Sequence, residues 1–598
     1  MTILSIKRIA PQLLAIGLVV LLGLLSQTPG AVAQTDSATK PFILPFQDPP
    51  GPATWLLAQP YGNTVGAFRQ RYTTYHGSGG IHFGVDFSAP CGTALVAMAD
   101  GVVFAVDNMR FGSAPHNLMI DHPELGYATF YGHLLDPPQL TAGQRVKAGE
   151  VVALSGDPAE TCYGRPHLHL EIRDLAHVRK YNPVLLVEAD WDNLALVGPF
   201  GQAFEYDLDA PRKWQHLADQ PEAAAGGPIL NDFANPWPPD GPGQSGQPAP
   251  AAAAGASTKG LFSTPEAREA KGPAPVAPGL DAVAVLRQLT AGGCCTQPFW
   301  SPNARQVLFI DRPFPLRPAG IWGADIHTAV SPPQLFSERI GFYTSDLAYR
   351  IDVQGNKTVI EQLADPAGAS RMRWTVPAGG QRVLLSPGHA RIAWQMANED
   401  IPSERSMTEI WIANLDGSAA RVVATLPRGG LVAWASDDVL VVSGRESLQA
   451  REQVLYALSL ADGSRAELAR SDRLRGGLVS PDGAWLAYFI ALSGQSAQNG
   501  LWLVRTDGAQ RRQLSLEWFG TFKWRDGDRL LVIPFRPAAI SHEIWEIDAE
   551  TGAGRLLVDP TQTLFKVANN DWAVSQDGRY VAFVESRDHN IWLLSLPE

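Results

Sequence analysis

From about residue 281 to the C-terminus, short apolar runs alternate with polar turns at a period of roughly 40 to 50 residues, the spacing of a propeller or a solenoid. One half of the unit is a turn followed by an apolar strand. It appears as Phe299-Trp300-Ser301-Pro302 before Val307 to Ile310, as Ser386-Pro387 before Ile392-Ala393-Trp394, and as Ser480-Pro481-Asp482-Gly483 before Trp485 to Tyr488; further copies start at Trp434, Trp524 and Ser575. The other half is a strand, an Asp-Gly turn and another strand, as around Asp416-Gly417, Asp462-Gly463 and Asp507-Gly508. Asp-Gly between apolar runs marks a hairpin, because Gly accepts the positive φ of a tight turn. Seven such units can be counted, the weakest at about residues 342 to 380, with six as the alternative count. Val285 to Leu289 stands alone before the first unit, and the last unit ends at Ile591-Trp592-Leu593 without an outer strand, so the two ends are expected to complete one blade.

Upstream, Thr93 to Val106, Asn117 to Asp121 and Gly126 to Leu134 read as strands separated by Gly, Pro and Asp turns. The expected fold class is therefore mainly β: an antiparallel β-sheet domain over 34–200 followed by a C-terminal β-propeller over 281–598. Residues 201–280 are expected to be a linker, because from Asn235 the composition turns to Pro, Ala, Gly and Ser, too poor in apolar surface to order itself. Residues 1–33 read as a secretory signal: Lys7 and Arg8, the apolar run Leu13 to Leu25, then Ala31-Val32-Ala33 before Gln34. Those thirteen apolar residues fall short of the ~20 needed to span a bilayer. A secreted or extracytoplasmic chain with no stable membrane anchor after cleavage is expected.

Composition sharpens this picture in two places. A formal net charge of −12 over 598 residues disfavours nucleic acid as a partner, since a phosphate backbone calls for a basic stripe. Four Cys, at 91, 162, 294 and 295, are too few for a disulfide-dense scaffold. Cys91 with Cys162 is open between a bridge and two buried thiols. Adjacent Cys294 and Cys295 cannot easily pair with each other without backbone strain, and their state is open.

The chemistry concentrates in three short motifs, His82-Phe-Gly-Val-Asp86, Tyr131-Gly-His133-Leu134 and Pro166-His167-Leu-His169-Leu-Glu171. Strand alternation puts His82 and Asp86 on one face and His167 and His169 on another shared face, so that two imidazoles and a carboxylate can converge. Such a set leaves one position of a zinc ion open, as a catalytic site requires. With no H-E-x-x-H helix in the chain, a histidine is the natural general base. His76, His116, His122 and His177 are assigned surface or structural roles, and Asn117 a role in supporting the sheet.

The stretch from Gly80 to Arg173, reaching toward Asn182-Pro183, resembles the lysostaphin-type (LytM-like) zinc endopeptidases. It does so through Gly80 to Pro90, Ala99-Asp-Gly-Val-Val103, Ile120-Asp-His122, Tyr131 to Leu134, Gly143 to Gly149, Ser155-Gly156 and Pro166 to Glu171. The resemblance implies one Zn2+ held by His82, Asp86 and His169, with His133 and His167 as catalytic histidines, and a substrate among peptidoglycan peptides. Cys91 and the segment Glu160 to Arg165 depart from the family pattern at the rim. The Ser-Pro-Asp-Gly turns and Ile-Trp strands resemble TolB-type propellers, whose ligand here the sequence does not name. The other readings are a non-catalytic scaffold that recruits or activates a wall hydrolase, and a propeller-linked serine peptidase. The intact His133 and His167 weigh against the first, and the lack of a G-x-S-x-G elbow against the second.

Overall fold

In the computed structural model, residues 40–597 are described, apart from 225–235, 238–283 and short pieces of several loops. The expected signal at 1–33 lies outside the described residues, and so does the Pro/Ala/Gly-rich part of the expected linker apart from Pro236–Trp237, which pairs with Tyr206–Asp207. Among the described residues no helix is long and apolar enough to cross a membrane.

The N-terminal part is built on one antiparallel sheet. In chain order its strands are β1 (Leu56–Gln59), β2 (Val85–Ser88), β4 (Gly101–Val106), β5 (His116–His122), β6 (Tyr127–Leu134), β7 (Arg145–Val146), β9 (His167–Asp174) and β10 (Arg179–Tyr181), and they run across the sheet as β1-β2-β9-β6-β5-β4-β7 with β10 paired to β9. A separate pair, β3 (Ala94–Val96) with β8 (Val151–Leu154), packs beside it, so the single strand expected over Thr93 to Val106 is two. Val85, Phe87, Leu168 and Leu170 are fully buried at alternate positions of β2 and β9 and hold this sheet on its core. The intervening residues Asp86, His167 and His169 are left to face the other way.

The C-terminal part is a propeller of seven four-stranded antiparallel blades, not six. The weak unit is a full blade over Phe342–Thr375. Val285–Gln288 pairs antiparallel with Ile591–Ser595, Val285 opposite Ser595, which closes the ring as expected. The recurring serine has a definite job: the hydroxyl oxygen accepts the backbone N–H five residues on, at 2.9 Å for Ser301 and Gln306, 3.2 Å for Ser386 and Arg391, and 3.0 Å for both Ser480 with Trp485 and Ser575 with Tyr580. The recurring indoles are core, and they also join blades. Trp300, Trp434 and Trp524 donate Nε1–H to the carbonyls of Ala573, Leu384 and Leu478 in the neighbouring blade, so a large apolar side chain is buried without an orphaned donor.

Cys294 and Cys295, whose state the sequence leaves open, are disulfide-bonded to each other, with Cys295 at φ +30°. One expectation needs correction. The predicted linker is ordered at its start: Phe204 and Leu217 are buried, and Ala223–Ala224 pairs with β10. Its apolar residues there bury like any core residue, and the low-complexity argument applies only further on. Cys91 and Cys162 are bridged.

The two parts share one buried apolar cluster, which holds Trp191 and Phe204 together with Phe535 and Phe565, and polar contacts add to it. Arg212 forms a forked pair with buried Asp311 at 2.8 and 2.9 Å, and Leu492 donates its N–H to the Pro52 carbonyl. Asn193 donates to the Ala539 carbonyl at 2.8 Å, while its oxygen faces His542 Nε2 at 2.8 Å.

Candidate active site

Register places the first pair. Asp86 on β2 lies directly opposite His169 on β9, and Ser88 opposite His167, so the antiparallel ladder alone brings a carboxylate against an imidazole. His82 arrives differently from the expected strand alternation: it precedes β2 in an isolated two-bond bridge with Gly62. Gly84 then lets β2 press against β9, since a Cβ there would meet the Leu170 carbonyl oxygen at 2.3 Å.

The result is a compact trio. His82 Nε2 lies 3.2 Å from His169 Nδ1 and 3.2 Å from Asp86 Oδ1, and His169 Nδ1 is 2.9 Å from Asp86 Oδ1. Three ligands of a tetrahedral zinc ion at about 2.0–2.1 Å would stand about 3.3 Å apart, so these three atoms fit one small cation with little movement. Each imidazole is oriented from behind. His82 Nδ1 donates to the Pro60 carbonyl at 2.7 Å and leaves Nε2 as the lone pair. His169 Nε2 faces Glu171 Oε1 at 3.2 Å, and Glu171 is fixed in turn by Arg173 Nε at 2.7 Å. A carboxylate behind an imidazole sets its tautomer and strengthens it as a donor to metal.

His133 and His167 complete the group. Their ring centroids are 4.8 Å apart, His133 is 5.9 Å from His169, and His167 Nε2 is 3.9 Å from Asp86 Oδ2. His133 Nδ1 is 2.5 Å from the Ala114 carbonyl and His167 Nδ1 2.7 Å from that of Arg165, so both rings carry Nδ1–H and turn the Nε2 lone pair to the site. His133 sits at φ +59°, a backbone conformation that costs a β-carbon residue free energy and recurs at functional positions. Its neighbour Gly132, opposite His169, is packed so tightly on Ser113 that a Cβ would approach that side chain's Cβ to 2.4 Å.

Electrostatics divides the histidines into two kinds. Burial, with His167 and His169 nearby, pushes His133 down to about 3, so it is a neutral base at any ordinary pH. Burial opposes the charge on His169 too, yet the bonds to Asp86 and Glu171 lift it to about 9. Burial would raise both carboxyls, but His82, His167 and His169 hold Asp86 well below the usual range, and Arg173 with His169 holds Glu171 at about 2. A proton therefore occupies the His169 lone pair when no cation does, and binding of a metal must release it.

All five residues singled out in the sequence are thus brought to one place. Glu171 was quoted there without a role, although its position two residues after His169 on the same strand face is a legible signal. The other histidines serve the framework: buried His122 bridges the Asp100 carbonyl and Thr129 Oγ1, His177 meets Asp121 at 2.8 Å, His116 meets Asp107 at 2.9 Å, and Asn117 ties the 108–112 loop through two donated bonds.

Residues 80–183 match peptidase family M23. An uncharacterized metalloprotease of Haemophilus influenzae is 41% identical over 103 residues, covering 17% of this chain and 20% of that protein. The DD-carboxypeptidase/endopeptidase Mpg of Neisseria meningitidis is 38% identical over 93 residues, covering 16% and 20%. The chain thus spans about a fifth of the length of these curated relatives. A solved structure of a putative TolB from Agrobacterium tumefaciens is 14% identical, covers 51% of this chain and 91% of its own, and has a TM-score of 0.25. The stretch that gathers these histidines and this aspartate around one point is thus the stretch that matches peptidase family M23, residues 80–183.

Proposed function

We propose that the protein is an extracytoplasmic, zinc-dependent endopeptidase that hydrolyses peptide bonds of peptidoglycan, with the propeller as a binding module. The observation that carries this reading is the convergence of His82 Nε2, His169 Nδ1 and Asp86 Oδ1 to within 2.9–3.2 Å beside the imidazoles of His133 and His167, each tied at Nδ1 to a backbone carbonyl. The name of the Neisseria relative supports the substrate class, and the Cys91–Cys162 bridge supports an oxidising compartment.

His82, Asp86 and His169 would hold the ion. Zn2+ bound there supplies Lewis acidity, polarising the scissile carbonyl and making water acidic enough to attack near neutral pH. The rest falls to the protein. Of His133 and His167, one accepts the proton of the attacking water at Nε2 and passes it to the departing amine. The other, as an imidazolium with a second proton at Nε2, donates to the oxyanion of the tetrahedral intermediate, a role to which the strongly depressed His133 is the less suited of the two. Glu171 keeps the His169 proton on Nε2, so that Nδ1 stays available to the ion.

The test is digestion of purified wall and defined cross-linked muropeptides by the full chain, with and without chelator, with products read by mass spectrometry. Cleavage that disappears with chelator and in His169→Ala is expected. Cleavage that survives both, or no cleavage by the zinc-loaded protein, overturns the reading.

A further inference from the structure

We propose that Arg165, Arg473 and Arg475 form a cationic recess on the seam between the peptidase domain and the fifth propeller blade, and that it holds a free carboxylate of the substrate peptide beside the catalytic histidines. The inference rests on the peptidase reading above and adds the chemical class of what is recognised.

Arg165 is tied to the reacting centre through its own backbone. Its carbonyl accepts the His167 Nδ1 proton at 2.7 Å, and its neighbour Gly164 donates to buried Asp157 at 2.8 Å. In the same loop Gly156 donates to the His133 carbonyl at 2.8 Å and accepts from His167 N–H at 3.0 Å, while Cys162 is bound to Cys91. The loop that carries Arg165 is therefore held by both catalytic histidines. Arg473 and Arg475 come from the other part of the molecule. They stand at the beginning of the inner strand of the fifth blade, Leu474–Val479, where the same blade accepts the Pro52 contact at Leu492.

Among the described residues none of the three forms an ion pair, and Nε of both Arg473 and Arg475 is buried without a hydrogen-bond partner. Arg473 feels the negative charges of Asp472 and Asp157, whose carboxylates also bond to Ser493 Oγ and to Gly164 N–H at 2.8 Å, whereas no acid among the described residues acts on Arg475 or Arg165. Burial, then the positive charges of Arg473 and Arg165, lower Arg475 to about 10. Gathering like charges partly out of water is unfavourable unless an anion completes them, and here it occurs in a chain whose formal net charge is −12. Arg165 is exposed and the other two are half-buried, so the recess is open to a solute. The planar fork of arginine matches a carboxylate in two-bond geometry. A peptide bearing a free carboxylate close to the cut bond is the anion that a peptidase would meet there.

The experiment uses two cross-linked muropeptides, identical except that the carboxyl nearest the cut bond is free in one and amidated in the other. Binding to the chelator-treated full chain is measured by calorimetry, and cleavage by the zinc-loaded chain separately. The free acid is expected to bind about ten-fold tighter than the amide, the scale of one charge-assisted bond. Arg473→Gln with Arg475→Gln should bring the ratio close to one, and Arg475→Lys, which keeps the charge but loses the fork, should retain part of it. Equal affinities in the wild type, or a ratio unchanged in a folded Gln variant, overturns the recess. If the zinc-loaded chain cuts neither peptide, the peptidase reading fails while the affinity ratio still judges the recess; if the Gln pair does not fold, the wild-type ratio and Arg475→Lys decide.

Discussion

Lowering the pH from 8 to 5 should loosen the seam between the two parts of this protein through two buried histidines. The hydrogen bonds around His542 leave no room for a second proton. Asn193 donates its amide to the Ala539 carbonyl and to Asp190, so its oxygen must accept from His542 Nε2, while His542 Nδ1 accepts the backbone N–H of Val567 at 3.2 Å. His216 is similarly committed: its Nδ1 accepts from Asn569 at 3.0 Å, and its ring is stacked 3.8 Å from His589. Burial, with Lys566 near the one and His589 near the other, pushes both to about 3. Below about pH 6.5 the unfolded chain takes up protons that these folded rings refuse, so stability is complete above that value and falls toward pH 3. At pH 5 the loss is about 2 kcal/mol for each ring, or about 4 kcal/mol together. Equilibrium urea unfolding of the full chain at pH 8, 7, 6 and 5 measures it, with His542→Gln alongside. His133, also pushed to about 3, adds a like loss, while His169 at about 9 and Asp192 at about 6 gain stability as the pH falls, so the readout is the difference between the two proteins. The variant should begin less stable and lose about 2 kcal/mol less than the wild type between pH 8 and pH 5, and an equal pH dependence in both refutes the argument.

Three further outcomes are expected. Glu171→Gln preserves volume but removes the charge that orients His169, and should weaken metal binding about 10- to 100-fold in competition with a chelator, an unchanged affinity counting against the role given to this carboxylate. His133→Ala and His167→Ala should each lower kcat by about 10²- to 10⁴-fold at wild-type metal content, and a full-rate variant would remove that histidine from the mechanism. Serine at both Cys91 and Cys162 opens a bridge with a sequence separation of 71 and should cost up to about 4 kcal/mol in urea unfolding, the difference vanishing when reductant is added to the wild type.

Much of the fold could be read because its signals are local. Asp-Gly turns, serine-led loops and apolar strands each state their conformation within a few residues, and their repetition multiplies the signal until seven blades and a strand from each end can be counted. That His82, Asp86 and His169 come together was legible for a similar reason, since each motif keeps its polar residues in a short stretch. The route by which His82 reaches the trio was not legible. A strand was expected, but the bridge to Gly62 depends on a partner twenty residues away. The state of Cys294 and Cys295 was not legible either, because the difficulty of joining neighbours weighs against a bond that the structure nevertheless forms.

Taken alone, the chain's pattern determined its class, its repeat architecture and which five side chains to look for together, because periodicity and donor type belong to residues wherever they are placed. Only the tertiary structure decided that Glu171 stands behind His169, that His542 and His216 are buried at the seam, and that Arg165 comes within reach of the charge of Arg475, some three hundred residues away. Contacts of that kind are a property of distance in space, and neither composition nor spacing along the chain carries it.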